Sequence, residues 1–350
     1  MIKYLGSKRL LIPVLGKLCA AQQPATALDL FTGTTRVAQE FCRQGAHTTA
    51  VDIASYSEVL AQCYVETDAQ AVDTDEIQDA LDALSALPPK RGYVTEVFCE
   101  KARYFQPQNG MMIDAIRDGI DDLYADSWMR PILLTSLMEA ADAVDSTVGV
   151  HMAFLKKWAA RAKRPLTLKV PELTPGTGRA IRGDALQVAQ NLAPVDLAYL
   201  DPPYNQHRYY TNYHIWETLV RWDAPEYYGV ACKRIDSRDE ETKSVFNRKR
   251  EMPAALAEVI KSVSAKVVVL SFSNEGFVPL EDLVQMCRER GDDVRVLSYE
   301  YNRYIGARIG IHAPDGRKVG SVSHTKNLEY IVLSGPTEEI ERMAAAIEAK

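Results

Sequence analysis

Residues 201–205, with the sequence DPPYN, bring together groups that suit one kind of ligand. They follow the apolar run VDLAYL at 195–200, which predicts a buried strand. Two consecutive prolines must end that strand because neither can donate a backbone hydrogen bond. The stiff turn holds the Asp201 carboxylate, the Pro202 carbonyl and the Tyr204 ring in fixed relative positions. Two acceptors beside an aromatic face suit a planar heterocycle that stacks on the ring and donates an exocyclic amine to both acceptors.

Such an amine is a weak nucleophile because its lone pair is delocalised into the heterocycle. Hydrogen bonds from both N–H groups to fixed acceptors favour a pyramidal nitrogen and free the lone pair to attack an electrophile. Preorganised polar groups of this kind lower a reaction barrier, and alignment of the nitrogen with the electrophile lowers it further. The segment therefore predicts group transfer to an exocyclic amine, with a simple turn as the structural alternative.

A glycine and two further acids follow other predicted strands. In DLFTGTTR at 29–36, Gly33 lets the backbone approach a ligand, and the following helix offers free amides. This single glycine argues against a pyrophosphate cradle and favours a nucleoside with a carboxylate tail. Asp52 ends the next strand, where an acid can bind ribose hydroxyls, and Asp184 follows another strand. Parallel strands direct such residues into one crevice with Asp201, although a turn glycine and helix or strand caps are the alternatives.

The hydrophobic pattern predicts the sheet that would position these residues. Seven apolar segments predict strands, at residues 26–31, 47–53, 179–183, 195–200, 266–272, 293–301 and 328–334. Helical segments alternate with them, and this order implies an α/β fold with a parallel sheet and right-handed crossovers.

A long stretch between the second and third strands has helical periodicity and few strand signals. We interpret residues 70–175 as a mostly helical insertion that ends in the basic run KKWAARAKRP at 156–165. The predicted organisation is one catalytic domain, residues 1–69 and 176–350, interrupted by this insertion.

Composition narrows the class of protein. The chain has 350 residues, of which 47% are hydrophobic and 25% charged, values typical of globular proteins rather than of disordered chains or coiled coils. Lysines and arginines break up the N-terminal apolar patch, so we expect a cytoplasmic protein without a signal peptide or a membrane partner. The six cysteines are scattered without a CxxC pair, and His207 and His214 lack a third ligand, so no disulfide framework or metal site is expected.

The order of these motifs resembles that of the alpha-ordered DNA adenine N6-methyltransferases, in particular the Dam-like and type IIS modification methylases. Five matching segments follow in order: KYLGSKRLL (3–11), DLFTGTTRVAQ (29–39), VDI (51–53), GDAL (183–186) and DPPYNQHRYYTNYHIWE (201–217). Two later segments also resemble motifs of the type IIS branch: LSFSNEG (270–276) and RYIGARIG (303–310). The resemblance implies a Rossmann-like sheet that binds S-adenosyl-L-methionine (SAM) and methylates an adenine flipped out of duplex DNA, without a covalent enzyme intermediate.

The resemblance also implies roles for individual residues. The cofactor set comprises Tyr4, Gly6, Ser7 and Lys8 for the methionine part, Asp29, Phe31 and Gly33 for the loop, Asp52 for the ribose and Asp184 for the adenine amine. The catalytic set that would hold the target adenine comprises Asp201, Pro202, Pro203 and Tyr204. The loop FTGTTR departs from the family pattern, which is richer in glycine, so the cofactor contacts there are the least defined.

Flipping a base costs a few kcal/mol, so the protein must hold the neighbouring phosphates. The family places its target-recognition region before the catalytic motif, which corresponds to residues 70–175. Two basic groups are candidate phosphate contacts: Lys156, Lys157, Arg161, Lys163 and Arg164 in the insertion, and Arg248, Lys249 and Arg250 after the catalytic motif. Solvated surface charges are the alternative for both groups.

Other functions stay open at this point. An RNA base or a protein glutamine also presents a planar amine, although glutamine-modifying relatives usually begin the loop with Asn and lack the KYLGSK element. A nucleotide-dependent dehydrogenase gives DPPY no role, and a DNA-binding module without activity would not need Asp201 and Tyr204. The expected partner is double-stranded DNA, with a cognate restriction endonuclease as a further candidate.

Overall fold

A computed structural model describes residues 2–6, 8–290, 293–302, 311–312, 318–320 and 326–348. The strands of these residues are, in chain order, β1 (Thr26–Asp29), β2 (His47–Asp52), β3 (Gly178–Arg182), β4 (Val195–Leu200), β5 (Tyr227–Tyr228), β6 (Lys233–Arg234), β7 (Ala265–Ser273), β8 (Asp293–Asn302), β9 (Ile311–His312), β10 (Lys318–Gly320) and β11 (Lys326–Gly335). Each of the seven strands predicted from the sequence is present, with its ends shifted by a few residues at most.

Seven strands form one sheet in the order β3-β2-β1-β4-β7-β11-β8. The first five of these strands are parallel to one another, as the alternation of strands and helices predicted. Strand β11 is antiparallel to both β7 and β8. The sequence pattern did not predict this reversal because hydrophobic alternation carries no strand direction. The result is the α/β, Rossmann-like sheet that the family resemblance implied, and the short pairs β5–β6 and β9–β10 lie outside it.

The α-helices of the described residues are α1 (Ile12–Gln22), α2 (Arg36–Arg43), α3 (Ser55–Ala61), α4 (Thr74–Ser85), α5 (Pro107–Tyr124), α6 (Arg130–Val144), α7 (Ala185–Asn191), α8 (Tyr209–Asn212), α9 (His214–Arg221), α10 (Met252–Ser262), α11 (Leu280–Arg288) and α12 (Thr337–Glu348). Two π-helical segments lie at Gln62–Glu66 and Val94–Lys101. Short 3₁₀ turns occupy Lys8–Leu10, Ala160–Lys163, Ile235–Arg238, Glu240–Thr242 and Val245–Asn247. None of the helices described is long and apolar enough to cross a membrane.

The sheet is buried on both faces, which explains why its central strands are continuous apolar runs. Along β4, Leu197 and Tyr199 face a core shared with α1, α2 and α12. The alternate residues Ala198 and Leu200 face a second core, shared with α7, α10 and α11. All six cysteines are buried free thiols, as expected of small hydrophobic residues.

The stretch at 70–175 folds into α4, α5, α6 and the π-helical segment Val94–Lys101. Its apolar side chains, including Ile113 and Leu133, share a third core with Tyr56 of α3 and Trp216 of α9. These helices therefore extend the protein beside the sheet and share their core with it. The division into residues 1–69 and 176–350 around an insertion remains a prediction.

Candidate active site

A cavity of about 290 Å³ opens at the carboxyl ends of the parallel strands. The predicted cofactor and catalytic residues that the structure describes all line it: Tyr4, Gly6, Lys8, Asp29, Phe31, Gly33, Asp52, Asp184, Asp201, Pro202, Pro203 and Tyr204. Ser7 and the segment RYIGARIG lie outside the described residues. Residues that are far apart in the chain, from Tyr4 to Tyr204, thus converge on the crevice that the sheet order defines.

Gly33 forms the turn between β1 and α2. Its φ of +52° lies in the left-handed region, and a Cβ atom there would approach the Tyr4 ring to 3.1 Å. Its amide donates to Asp52 Oδ2 over 2.9 Å, and the amide of Ala54 donates to Oδ1 over 3.0 Å. Burial raises the pKa of Asp52, and the two amide hydrogen bonds oppose that shift. The turn therefore needs glycine, and Asp52 holds it in place.

Asp29 is almost fully buried beneath the same turn. Its Oδ2 accepts hydrogen bonds from the Thr32 hydroxyl at 2.8 Å and the Ala38 amide at 3.1 Å. Burial raises the pKa of Asp29 to about 7. Among the described residues, Oδ1 has no hydrogen-bond partner, so a donor on a ligand would satisfy it.

Asp184 has a structural role that its sequence also allowed. Its Oδ1 accepts from the amides of Leu186 and Gln187, at 3.0 and 3.2 Å, and so caps the N-terminus of α7. The same side chain lines the cavity next to the end of β3. The helix cap and the cavity wall are therefore combined in one residue.

Lys8 forms an ion pair with the DPPY loop. Its Nζ lies 2.9 Å from Asp201 Oδ1, 2.6 Å from Glu329 Oε1 and 5.7 Å from the centroid of the Tyr204 ring. The sequence prediction placed Lys8 with the methionine part of the cofactor. That assignment remains a prediction: Lys8 lines the cavity, and its ammonium is paired with the carboxylates of Asp201 and Glu329.

The DPPY loop is anchored to β7 and its following turn. The Tyr204 ring packs edge-on against Phe272, with centroids 5.9 Å apart. The backbone carbonyl of Tyr204 accepts a hydrogen bond from the amide of Phe277 at 2.9 Å. Burial raises the pKa of Asp201 to about 6, while the ammonium of Lys8 opposes that shift. Near neutral pH the carboxylate is therefore an acceptor poised close to its titration.

An aromatic stack connects the N-terminal segment to the helices after DPPY. The Tyr4 ring stacks against both Tyr209 and Tyr213, with centroid distances of 5.3 and 4.5 Å and interplanar angles of 22° and 18°. The Tyr4 hydroxyl is 3.2 Å from that of Tyr56. Tyr209 and Tyr213 pack here against Tyr4.

Sequence reasoning missed one wall of the cavity, residues 241–247. Phe246 packs edge-on against Phe31 with centroids 5.1 Å apart. The side-chain Nδ2 of Asn247 donates to the carbonyls of Asn205 and His207, at 2.7 and 3.0 Å, and so supports the chain after DPPY. The available signal was the apolar pair at 245–246 within a stretch otherwise rich in charge.

The predicted phosphate contacts of the insertion divide into two kinds. Lys156, Lys157, Lys163 and Arg164 are exposed. Arg161 instead donates through Nε and Nη2 to Oδ1 of the buried Asp145, at 2.8 and 2.6 Å. Its guanidinium is therefore engaged within the protein, and its role as a phosphate contact remains a prediction.

The second basic group also divides. Lys249 and Arg250 are exposed, whereas Arg248 pairs with Glu240 and Glu251. Arg234, in the same charged stretch, is 1% exposed and pairs with Asp223 and Asp236. Much of the charge of this stretch is therefore neutralised within the protein.

Within the ranges that the structure covers, no group of three or more His, Cys, Asp or Glu side chains could hold a metal ion. His207 is exposed, and His214 is buried with Nε2 3.1 Å from the His151 carbonyl.

The model of the D12 class N6 adenine-specific DNA methyltransferases matches residues 4–286. The chain belongs to this family. Membership selects DNA adenine over the RNA, glutamine and dehydrogenase alternatives, and it agrees with the resemblance based on KYLGSK, DLFTGTTR and DPPY.

Similar proteins include several modification methylases. The methyltransferase is 30% identical over 286 residues to type II methyltransferase M.NlaIII of Neisseria lactamica, covering 79% of this chain and 83% of that one. It is 28% identical over 333 residues to modification methylase StsI of Streptococcus sanguinis, covering 88% and 50%. It is 28% identical over 214 residues to type II methyltransferase M.FokI of Planomicrobium okeanokoites, covering 59% and 32%. The chain spans half or less of the length of the last two relatives.

Among solved structures, a precorrin-6Y C5,15-methyltransferase from Geobacter metallireducens matches with 12% identity and a TM-score of 0.32, covering 96% of this chain and 93% of that one. The strand order given above defines the fold.

SAM is the methyl donor of this methyltransferase family. The cavity fits such a ligand in two respects. Oδ1 of Asp29, which has no partner within the described part of the chain, is an acceptor for a ligand donor. Asp52 and Asp184, after neighbouring strands, are carboxylates suited to hydroxyl and amine groups.

Proposed function

We propose that the methyltransferase transfers the methyl group of SAM to N6 of an adenine flipped out of duplex DNA. One observation carries the proposal: Asp201, Pro202 and Tyr204 line the same cavity as Gly33 and Asp52. When bound, SAM would supply an electrophilic methyl group on its sulfonium. The nitrogen–carbon bond would form as the carbon–sulfur bond breaks, the sulfur would leave as a neutral thioether, and the proton lost by the nitrogen would pass to solvent.

On the substrate side, the proposed roles follow from hydrogen-bond chemistry. Lys8 occupies Asp201 Oδ1, so Oδ2 is the oxygen we assign to the N6 amine. The Pro202 carbonyl accepts the second N–H, and the adenine stacks on Tyr204. Because these acceptors are fixed before the substrate arrives, they favour the pyramidal nitrogen of the transition state without reorganisation.

On the cofactor side, we propose that Asp52 binds the ribose and Asp184 the adenine amine. The Oδ2 of Asp52 already accepts the Gly33 amide, so the ribose contact and the turn share one carboxylate. The remaining cofactor set comprises Tyr4, Gly6, Asp29, Phe31 and Gly33, all on the cavity wall.

We also propose that residues 70–175 contain the target-recognition region. Four exposed cations support this role: Lys156, Lys157, Lys163 and Arg164. They can neutralise phosphates on either side of the flipped base. The exposed Lys249 and Arg250 form a second proposed contact.

The names of the relatives extend the proposal to a biological setting. StsI and LlaI are named modification methylases, and M.NlaIII and M.FokI type II methyltransferases. We propose that this chain works with a cognate restriction endonuclease in the cytoplasm and protects host DNA.

The decisive test is Asp201→Ala with radiolabelled SAM and duplex DNA. We expect the rate of N6-methyladenine formation to fall by roughly 100-fold or more, because the amine loses a fixed acceptor. The dissociation constant for SAM, measured by calorimetry, should stay within a few fold of wild type. The exposed Asp282→Ala is the matched control and should methylate normally. Near-normal turnover of Asp201→Ala would overturn the proposed function.

A further inference from the structure

Lys8 bridges two carboxylates that come from distant parts of the chain. Its Nζ contacts Asp201 Oδ1 at 2.9 Å and Glu329 Oε1 at 2.6 Å. The side chains of Lys8 and Glu329 are 9% and 2% exposed, and that of Asp201 is 17% exposed. Charges this well buried interact strongly, and removing one partner is costly for the others.

The regular sheet holds Glu329. This residue lies in β11, directly opposite Ser273 of the antiparallel neighbour β7. The hydroxyl of Ser271, two residues earlier in β7, donates to the same Oε1 at 2.7 Å. Glu329 is therefore anchored by two central strands, and it offers Lys8 a rigid contact.

Lys8, in contrast, is on a short 3₁₀ turn and carries a flexible four-carbon stem. A lysine ammonium that pairs with a single carboxylate can move to several positions around it. A second fixed contact restricts the ammonium to one place, over the edge of the cavity and 5.7 Å from the Tyr204 centroid. The contact also determines which oxygen of Asp201 is occupied and which is open.

We infer that Glu329 is a positioning residue for methyl transfer: it fixes Lys8, and Lys8 fixes the Asp201 carboxylate that receives the substrate amine. The inference rests on the proposed function, since it assumes that Asp201 binds that amine. Glu329 itself touches neither substrate nor cofactor in this scheme.

The charges around Asp201 give the inference a distinctive readout. The titratable groups that interact with Asp201 or with its partner Lys8 come from several elements: Asp29, Tyr199, Tyr204, Tyr209 and Glu329. Glu329 disfavours the ionised form of Asp201, and Lys8 favours it. Glu329→Gln should therefore move the acidic limb of the pH–rate profile to lower pH, and Lys8→Met should move it to higher pH. General damage to the fold would not separate the two variants in this way.

The experiment compares Glu329→Ala, Glu329→Gln and Ser271→Ala in the full chain, with the exposed Glu341→Ala as the matched control. We measure the single-turnover methylation rate with saturating SAM and duplex DNA, the SAM dissociation constant and the melting temperature. Glu329→Ala should lower the rate by roughly 10- to 100-fold, with SAM affinity within a few fold of wild type. Glu329→Gln keeps an acceptor for Lys8 and should recover part of the rate. Ser271→Ala should cause a smaller loss, and Glu341→Ala none.

Several results would overturn the inference. These are a wild-type rate for folded Glu329→Ala, a rate loss that only parallels lost SAM affinity or folded protein, or an unmoved acidic limb in Glu329→Gln. If Glu329→Ala fails to fold, Ser271→Ala supplies the same rate comparison with a milder change. An active wild type with an unaffected Glu329→Ala would remove this inference alone. A wild type that does not methylate adenine in duplex DNA would remove the proposed function as well.

Discussion

The amide of Gly33 donates to Asp52 Oδ2 over 2.9 Å, so the turn after β1 is tied to the end of β2. The neighbouring amide of Thr32 donates to the Val51 carbonyl at the same distance, 2.9 Å. The cavity wall at this point is therefore an extension of the sheet. Its shape depends on a backbone conformation that only glycine adopts without strain.

Gly33→Ala should weaken both folding and cofactor binding. A side chain at this positive φ costs about 1–2 kcal/mol, and the added Cβ would press on the Tyr4 ring. Gly45→Ala is the matched control, because Gly45 has a φ of +93° and no atom within 4 Å of an added Cβ. Urea unfolding should show a lower free energy of unfolding in both variants. Calorimetry should show weaker SAM binding in Gly33→Ala alone, and equal SAM affinity in the two variants would contradict this.

The free energy of unfolding should fall in mild acid because of a buried histidine pair. Burial lowers the pKa of His151 from 6.5 to about 3, and lowers that of His214 well below 6.5. Both rings are neutral in the folded protein, so only the unfolded chain takes up protons just below pH 6.5. The contribution of the two neutral histidines to the free energy of unfolding is complete above pH 6.5 and is lost as the pH falls toward 3.

Between pH 7.5 and pH 5.5, each histidine should lower the free energy of unfolding by about 1.4 kcal/mol. Urea unfolding at the two pH values measures this difference. His151→Phe and His214→Phe should each remove part of that difference. Phe98→Leu, in the same cluster, serves as the control because it loses packing without titrating. It should lower stability equally at both pH values. An unchanged pH difference in both histidine variants would show that other groups cause the acid sensitivity.

The exposed cations of the insertion should control DNA affinity. Replacing Lys156, Lys157, Lys163 and Arg164 by Gln should raise the KM for DNA. It should also reduce the slope of log affinity against log salt by about 0.9 per lost phosphate contact. SAM affinity should not change.

Arg161→Gln provides the contrast within the same segment. It leaves the buried Asp145 short of two charge-assisted hydrogen bonds, so we expect a loss of about 1–3 kcal/mol in unfolding free energy. The salt slope should stay close to wild type. A lowered slope in Arg161→Gln, or an unchanged one in the quadruple variant, would contradict this division of the basic residues.

Much of the sheet and cavity could be predicted because local signals carried them. Strand-ending acids and the rigidity of two prolines are properties of short segments, and Asp52, Asp184 and Asp201 all line the cavity as expected. The partner of Lys8 could not be predicted in this way. Glu329 is 321 residues away and reads as an ordinary charge in an apolar run.

The cavity wall at 241–247 was missed for a related reason. It has no periodicity, and its order comes from contacts such as that of Asn247 with the chain after DPPY. The pairing of Arg161 with Asp145 could not be predicted either. In a basic run, the sequence does not distinguish an arginine that faces solvent from one that pairs with a buried carboxylate. In each case the deciding contact joins segments that no local pattern connects.

The position of β11 has a consequence for how the enzyme matures. This strand lies between β7 and β8 although it follows both in the chain, and it supplies the glutamate beside Lys8. During synthesis on the ribosome, the pairing of Lys8 with Glu329 cannot form until residue 329 has emerged and β11 has inserted between strands made earlier. A nascent chain interrupted before that point could form the turn at Gly33, yet it would lack the contact between Lys8 and Glu329.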